Sequence, residues 1–108
     1  MNKPFETLAQ LDKLIHEPAR LAILTALSAC RRADFLYLRR LTGLTKGNLS
    51  SHLSRLEDAG LVAVTKKFEG KKPITYAALT KAGRDAITQY WDRLDDVRNG
   101  VQQWSGSS

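Results

Sequence analysis

A chain of 108 residues has room for one domain, and a domain of that size buries roughly two-thirds of its unfolded surface, enough for a core without staples. Its 43% hydrophobic and 26% charged residues are globular values. No apolar run is long enough to span a bilayer, MNKPFETLAQ at the start lacks a signal-peptide core, and a single cysteine, Cys30, excludes an internal disulfide, so the expectation is a cytoplasmic protein without membrane contact.

The net charge of +6 is unevenly placed. Residues 31–72 hold ten Lys/Arg against four Asp/Glu, and the rest of the chain holds seven of each. The whole excess therefore sits in the middle segment, which points to a polyanionic partner rather than to scattered solubility charge.

Residues 4–15 read as a first helix, with Phe5, Leu8, Leu11 and Ile15 on one stripe and Pro4 in its first turn. Pro18 restarts the pattern for a second helix, 18–29, with Leu21, Leu24 and Leu27 as the buried stripe. Cys30 follows as a small, half-buried residue at the helix end. Asp34 suits the N-cap of a short helix, 35–41, in which Phe35, Leu38 and Leu41 point inward and Arg39 and Arg40 outward. Thr42–Gly43–Leu44 is a tight turn with glycine where a positive φ is wanted.

The next segment, TKGNLSSHLSRLEDAGL, is the centre of the chain. Thr45 caps a helix over 45–59, and Gly60 ends it with Leu61 folding back. Leu49, Leu53 and Leu56 share one face. Gly47, Asn48, Ser51, Ser54 and Arg55 share the other. An ordinary solvated face carries Glu/Lys pairs at i,i+4. This one carries small hydroxyls, an amide and an arginine, so it can approach a surface closely and still offer donors. Short helix, glycine turn and polar-faced helix make a helix-turn-helix pattern.

After Gly60 the period changes from helical to alternating. Residues 61–65 and 73–79 read as two strands around a turn rich in Lys66, Lys67, Lys71 and Lys72, with Phe68 among them. Pro73 removes a ladder donor at the strand start. Thr80 then caps a long helix, 80–104. Ile87, Tyr90, Leu94, Val97, Val101 and Trp104 recur at heptad spacing, which predicts a seam against a second copy of the chain. Residues 105–108 read as a frayed tail. His16 is expected in a structural role, and His52, on the flank of its helix, in packing or a phosphate contact. With Cys30 they are too few and too scattered for a zinc site, so no metal and no cofactor are expected. No phosphate loop, carboxylate pair or Ser/His/Asp set signals an enzyme.

The run LTGLTKGNLSSHLSRLEDAGLVAVTKKFEGKKPITYAALTKAGRDAITQY resembles the small one-domain MarR/ArsR-like winged helix-turn-helix regulators. It carries their GNLSxHLxxLExAGLV core, their basic K-F-x-G-x-x-P-x-T wing and their LTxxGR entry to the last helix, and IHEPARLAIL upstream also fits. The resemblance implies a mostly α chain with a two-stranded β-wing (α+β), folded as one winged helix-turn-helix domain over 1–108 with a long C-terminal dimerisation helix. It also implies a non-enzymatic transcriptional regulator that binds a pseudo-palindromic double-stranded DNA operator as a homodimer. By position, Thr45, Lys46, Gly47, Asn48, Ser50, Ser51, Ser54 and Arg55 would meet DNA from the recognition helix, and Lys66, Lys67, Lys71 and Lys72 from the wing.

One departure limits the carry-over. ArsR-type metal sensors place paired cysteines on the helix before the recognition helix, and ADFLYLRR there has neither Cys nor His. A small-molecule effector would fit best near Tyr90, Trp91 and Trp104. Two other readings compete: a winged-helix protein-interaction module without sequence-specific DNA binding, and an RNA binder. The second is disfavoured because single-strand readers expose stacked aromatics, and only Phe68 is aromatic among the contact positions.

Overall fold

The computed structural model describes residues 3–104. In chain order they form α1 (Pro4–Ala9), α2 (Pro18–Ser28), β1 (Ala33–Asp34), α3 (Phe35–Thr42), α4 (Lys46–Asp58), β2 (Val62–Glu69), β3 (Lys72–Leu79) and α5 (Lys81–Gln102). The expected tail, 105–108, lies outside the described residues. One core holds the domain together. Ile23, Leu24 and Leu27 of α2, Leu38 of α3 and Leu49, Leu53 and Leu56 of α4 meet Val62, Ala77 and Ile87.

The helix ends follow local chemistry. Thr45 Oγ1 accepts from the Asn48 N–H, Asp34 Oδ1 from Tyr37 and Thr80 Oγ1 from Gly83. Each cap satisfies an N–H that the helix itself leaves unpaired. Helix α4 closes in a Schellman turn. Gly60 sits at φ 78°, its N–H donates to Glu57 O, and the Leu61 N–H donates to Leu56 O.

Two expectations need correction. The first helix does not run over 4–15. It stops at Ala9, and 10–17 form turns in which Asp12 Oδ1 accepts from the Leu14 N–H. A side chain that bonds the backbone two residues on competes with helical pairing. The apolar stripe is divided as a result. Leu11 and Ile15 are buried from the turns, whereas Phe5 and Leu8 stay exposed on α1. The second correction concerns the sheet, which has three strands in the order β1-β3-β2. Ala33 and Asp34 pair antiparallel with Ala77 and Tyr76, so β3 is central at its inner end. A two-residue strand is too short to leave an alternation in the sequence. Pro73 lies outward of that pairing, opposite Phe68 of β2, where its missing N–H leaves no inner bond unmade.

The base of the wing is fixed to the start of α5 by backbone contact. Thr80 N–H donates to Leu61 O at 3.1 Å, and Thr80 Oγ1 donates to Gly60 O at 2.6 Å. Gly83 lies against the same carbonyl so closely that a Cβ would overlap the Leu61 backbone. Gly83→Ala should therefore destabilise the fold by about 2 kcal/mol or more, although alanine is the better helix former. Urea unfolding should show a lower midpoint; an unchanged or raised midpoint would disprove the close packing.

Candidate nucleic-acid interface

Every sequence-predicted contact on α4 reaches solvent. Thr45, Lys46, Gly47, Asn48, Ser50, Ser51, Ser54 and Arg55 are exposed, and Leu49, Leu53 and Leu56 on the opposite face are buried. The buried leucines hold the helix flat on the core, so the polar face is presented as one surface.

The wing lysines divide by register. Directly paired residues of antiparallel strands share a face. Val62, Val64, Lys66 and Phe68 of β2 are thus on the same face as Leu79, Ala77, Thr75 and Pro73 of β3. That face is core at its inner end, where Val62 and Ala77 are buried. Farther out it borders α4. Lys46, Ser50, Ser54, Val64, Lys66 and Thr75 line a cleft of about 370 Å³ between α4 and the wing, together with Glu57, whose carboxylate accepts from the Val64 N–H. Lys66 is therefore brought to the α4 surface. Lys67 and Lys72 are on the other face, and Lys71 sits in the turn. The turn itself needs Gly70 at φ 63°.

Two side-chain clusters stiffen this surface, and sequence reading missed both. Behind the wing, the Arg32 guanidinium lies 4.1 Å from the Tyr76 ring centre, and Tyr76 OH donates to Glu69 Oε1 at 2.8 Å. The hydrogen bond to Glu69 raises the Tyr76 pKa. Arg32 and Glu69, two of the charges counted in the middle segment, are thus engaged in bracing.

The second cluster ties α2 to the recognition helix. Arg20 is buried, with only 7% exposure, and donates from Nε to Leu14 O at 2.6 Å and from Nη1 to His52 Nδ1 at 3.4 Å. Glu17 accepts the N–H groups of Ala19 and Arg20 at the start of α2 and stands 3.7 Å from His52 Nδ1. A charged residue is rarely buried unless paired; Arg20 is buried because these partners surround it. His52 thus packs inward and does not offer a phosphate contact. His16 Nδ1 meets Tyr90 OH at 2.6 Å, the structural role expected of it.

Some expectations on the remaining helices do not hold. Leu41 is exposed rather than inward, and Arg39 is half-buried with an unpartnered Nε. The predicted α5 seam is largely taken up by the chain itself. Ile87 and Tyr90 are buried in the chain's own core and Val97 is buried as well, so these three are not free to meet a second copy. The reason is that α5 packs against α1, α2 and β3 of its own chain. Leu94 is half-buried against the core, whereas Val101 and Trp104 are exposed. Phe5 of α1 packs edge-to-face on Trp104, with ring centres 5.2 Å apart. Of the residues named for an effector, Trp91 opens on an apolar groove of about 760 Å³ beside Leu21, Ala22, Tyr37 and Leu41, whereas Tyr90 borders a pocket of about 40 Å³. No grouping of His, Cys, Asp or Glu fit for a metal occurs among the described residues, and none of their helices is long and apolar enough to cross a membrane.

Burial alone would raise the Glu17 pKa, but the Arg20 and Ala19 N–H groups and the Arg20 charge together hold it below the ordinary 4.5. A depressed folded-state pKa adds stability above the unfolded value, and that stability is lost as pH falls through the lower folded value. Glu17→Gln should therefore lower stability at neutral pH, and the difference from wild type should shrink on acidification well below 4.5. Urea midpoints across pH test this; parallel curves for the two proteins would refute it.

Comparison with known proteins agrees with this architecture. A family model described as a winged helix DNA-binding domain matches residues 19–97. An uncharacterized protein of Methanocaldococcus jannaschii is 33% identical over 78 residues, spanning 72% of this chain and 85% of that protein. A transcriptional regulator homologue from Pyrococcus horikoshii OT3 superposes with a TM-score of 0.82 at 32% identity, covering 89% of this chain and 97% of that one. A MarR variant from E. coli shares the fold at 19% identity, with a TM-score of 0.71 over 95% of this chain and 74% of that one. The two-strand wing, the capped α4 and the long α5 are thus those of a known architecture, and the chain belongs to the winged helix DNA-binding domain family, the fold of MarR-type transcriptional regulators.

Proposed function

We propose that the chain regulates transcription by binding a pseudo-palindromic operator as a homodimer, with α4 in the major groove and the wing on flanking DNA. The observation that carries this reading is the α4 surface. It is free of acids until its last turn, fully exposed, and continuous through the cleft with Lys66 of the wing. The major groove admits one α-helix. Gly47, Ser50 and Ser51 let the backbone come close. Asn48 has the geometry to pair with adenine, and Arg55 with guanine or a phosphate. Thr45, Lys46, Ser54, Lys66 and Lys71 are suited to phosphates, which position without specifying.

The homodimer is supported by the distal half of α5. Val101 and Trp104, together with Phe5 and Leu8 of α1, leave apolar surface exposed, with Phe5 packed on Trp104. Joining two copies there presents two α4 helices to half-sites about one DNA turn, ~34–36 Å, apart. One observation favours a second reading, the protein-interaction module: the apolar groove beside Trp91 is a concave surface that a partner could fill.

Binding of a labelled duplex from upstream of the protein's own gene, measured across a salt series, separates the two. The complex should weaken steeply with salt, each phosphate-neutralising lysine or arginine adding about 0.9 to the log–log slope. Arg55→Ala should cost about 1–3 kcal/mol. Binding that is equal for any polyanion and indifferent to Arg55→Ala would remove the DNA reading and bring the interaction module forward. For the dimer, Val101→Asp should yield a monomer by sedimentation. A wild-type protein that already sediments as a monomer would refute that assignment.

A further inference from the structure

Phe68 is unlike the other apolar residues at the surface. It is 74% exposed, more than any other exposed large hydrophobic among the described residues, yet it sits among four lysines near the hairpin tip. A lone exposed apolar side chain is common and needs no explanation by itself. Its register is what sets it apart. Phe68 is on the same strand face as Val64 and Lys66, and so on the face that borders α4. Its cross-strand neighbour is Pro73, so the last pair on that face before the turn is two rigid apolar rings. Lys66 lies inward of the pair and Lys71 follows in the turn. Glu69, the acid nearest the tip, is on the opposite face and is held by Tyr76.

We propose that the Phe68–Pro73 pair is an apolar wedge that enters the minor groove beside the recognition site and unstacks a base step, so that the protein kinks the DNA it binds. This rests on the DNA-binding reading above and adds a mechanism to it. The tip pair lies two residues, ~7 Å, farther out than Lys66. With α4 in the major groove and Lys66 near the adjoining phosphates, that extra reach crosses the phosphate ridge toward the minor groove. Apolar side chains, Phe and Pro among them, act there by wedging between bases and bending the duplex toward the major groove. The lysines on either side hold the phosphates that the bend brings closer. The Arg32–Tyr76–Glu69 brace keeps the hairpin stiff, so the wedge is presented rather than folded back.

The test uses the full chain and the same upstream duplex. Permanganate reactivity reports unstacked thymines, and circular-permutation mobility reports the bend. Wild type should make flanking thymines reactive and retard the permuted fragments. Phe68→Ala should abolish both signals and weaken binding roughly tenfold, with the salt slope unchanged because no charge is lost. Phe68→Leu, still a wedge, should keep the bend. Phe68 is solvent-exposed, so melting temperatures should be equal across the set. A wild-type complex without reactive thymines or bend, or a Phe68→Ala complex that keeps them, would overturn the wedge and leave DNA binding standing. Absence of any duplex binding at low salt would overturn both.

Discussion

The contact between Gly83 and the Leu61 backbone governs how the rest of the molecule is arranged. Three elements meet there: the Schellman end of α4, the first residue of the wing and the first turn of α5. Thr80 bonds to both Gly60 O and Leu61 O, so its cap joins α5 to the α4 exit as well as closing its own helix. Backbone contacts of this kind leave little freedom for adjustment. Only glycine permits the approach, because any Cβ would need to displace a carbonyl. The recognition surface and the long helix are therefore held as one body, and the orientation of either one sets that of the other.

A second anchor acts on the opposite side of α4. Arg20 and Glu17 stand against His52 from the start of α2, so the recognition helix is held at mid-length by the Arg20–His52 hydrogen bond and at its end by backbone packing. Between them the leucine face is fully buried. A helix held at both places presents its polar face without rotating. That fits a surface meant to read a groove, where displacement of donors by an ångström would forfeit their hydrogen bonds.

Most of the fold was legible because it is encoded locally. Thr45, Gly60 and Thr80 are caps with a side-chain or glycine signature, and the structure uses each as read. The exposed face of Gly47, Asn48, Ser51, Ser54 and Arg55 followed from periodicity, whereas Thr45, Lys46 and Ser50 were added by the family resemblance. What stayed hidden depends on partners distant in sequence. Strand β1 exists only because Ala33 and Asp34 come to lie beside Ala77 and Tyr76. The Arg20–His52 contact spans 32 positions and Arg32–Tyr76 spans 44, and no spacing rule links such pairs. Asp12 ended the first helix by bonding locally, against a hydrophobic stripe that argued for continuation. The heptad on α5 was real as a pattern but ambiguous as to its partner, since an a/d seam serves equally well for the chain's own core.

Because the chain's own core takes the proximal part of this seam, an assembly on its distal part would be linked to folding. Ile87 and Tyr90 bury into the domain, and the same stripe continues to Val101 and Trp104 at the exposed end. A continuous helix preserves the phase of its stripe along its length. The direction in which the distal residues face is thus set by the packing of the proximal ones. Since the proximal turn is also fixed to α4 through Gly83, a partner bound at the far end of α5 would meet a surface whose angle to the recognition helix is already determined. Spacing between two recognition helices would then be a property of the monomer fold, needing no adjustable joint between the DNA-facing surface and the interface.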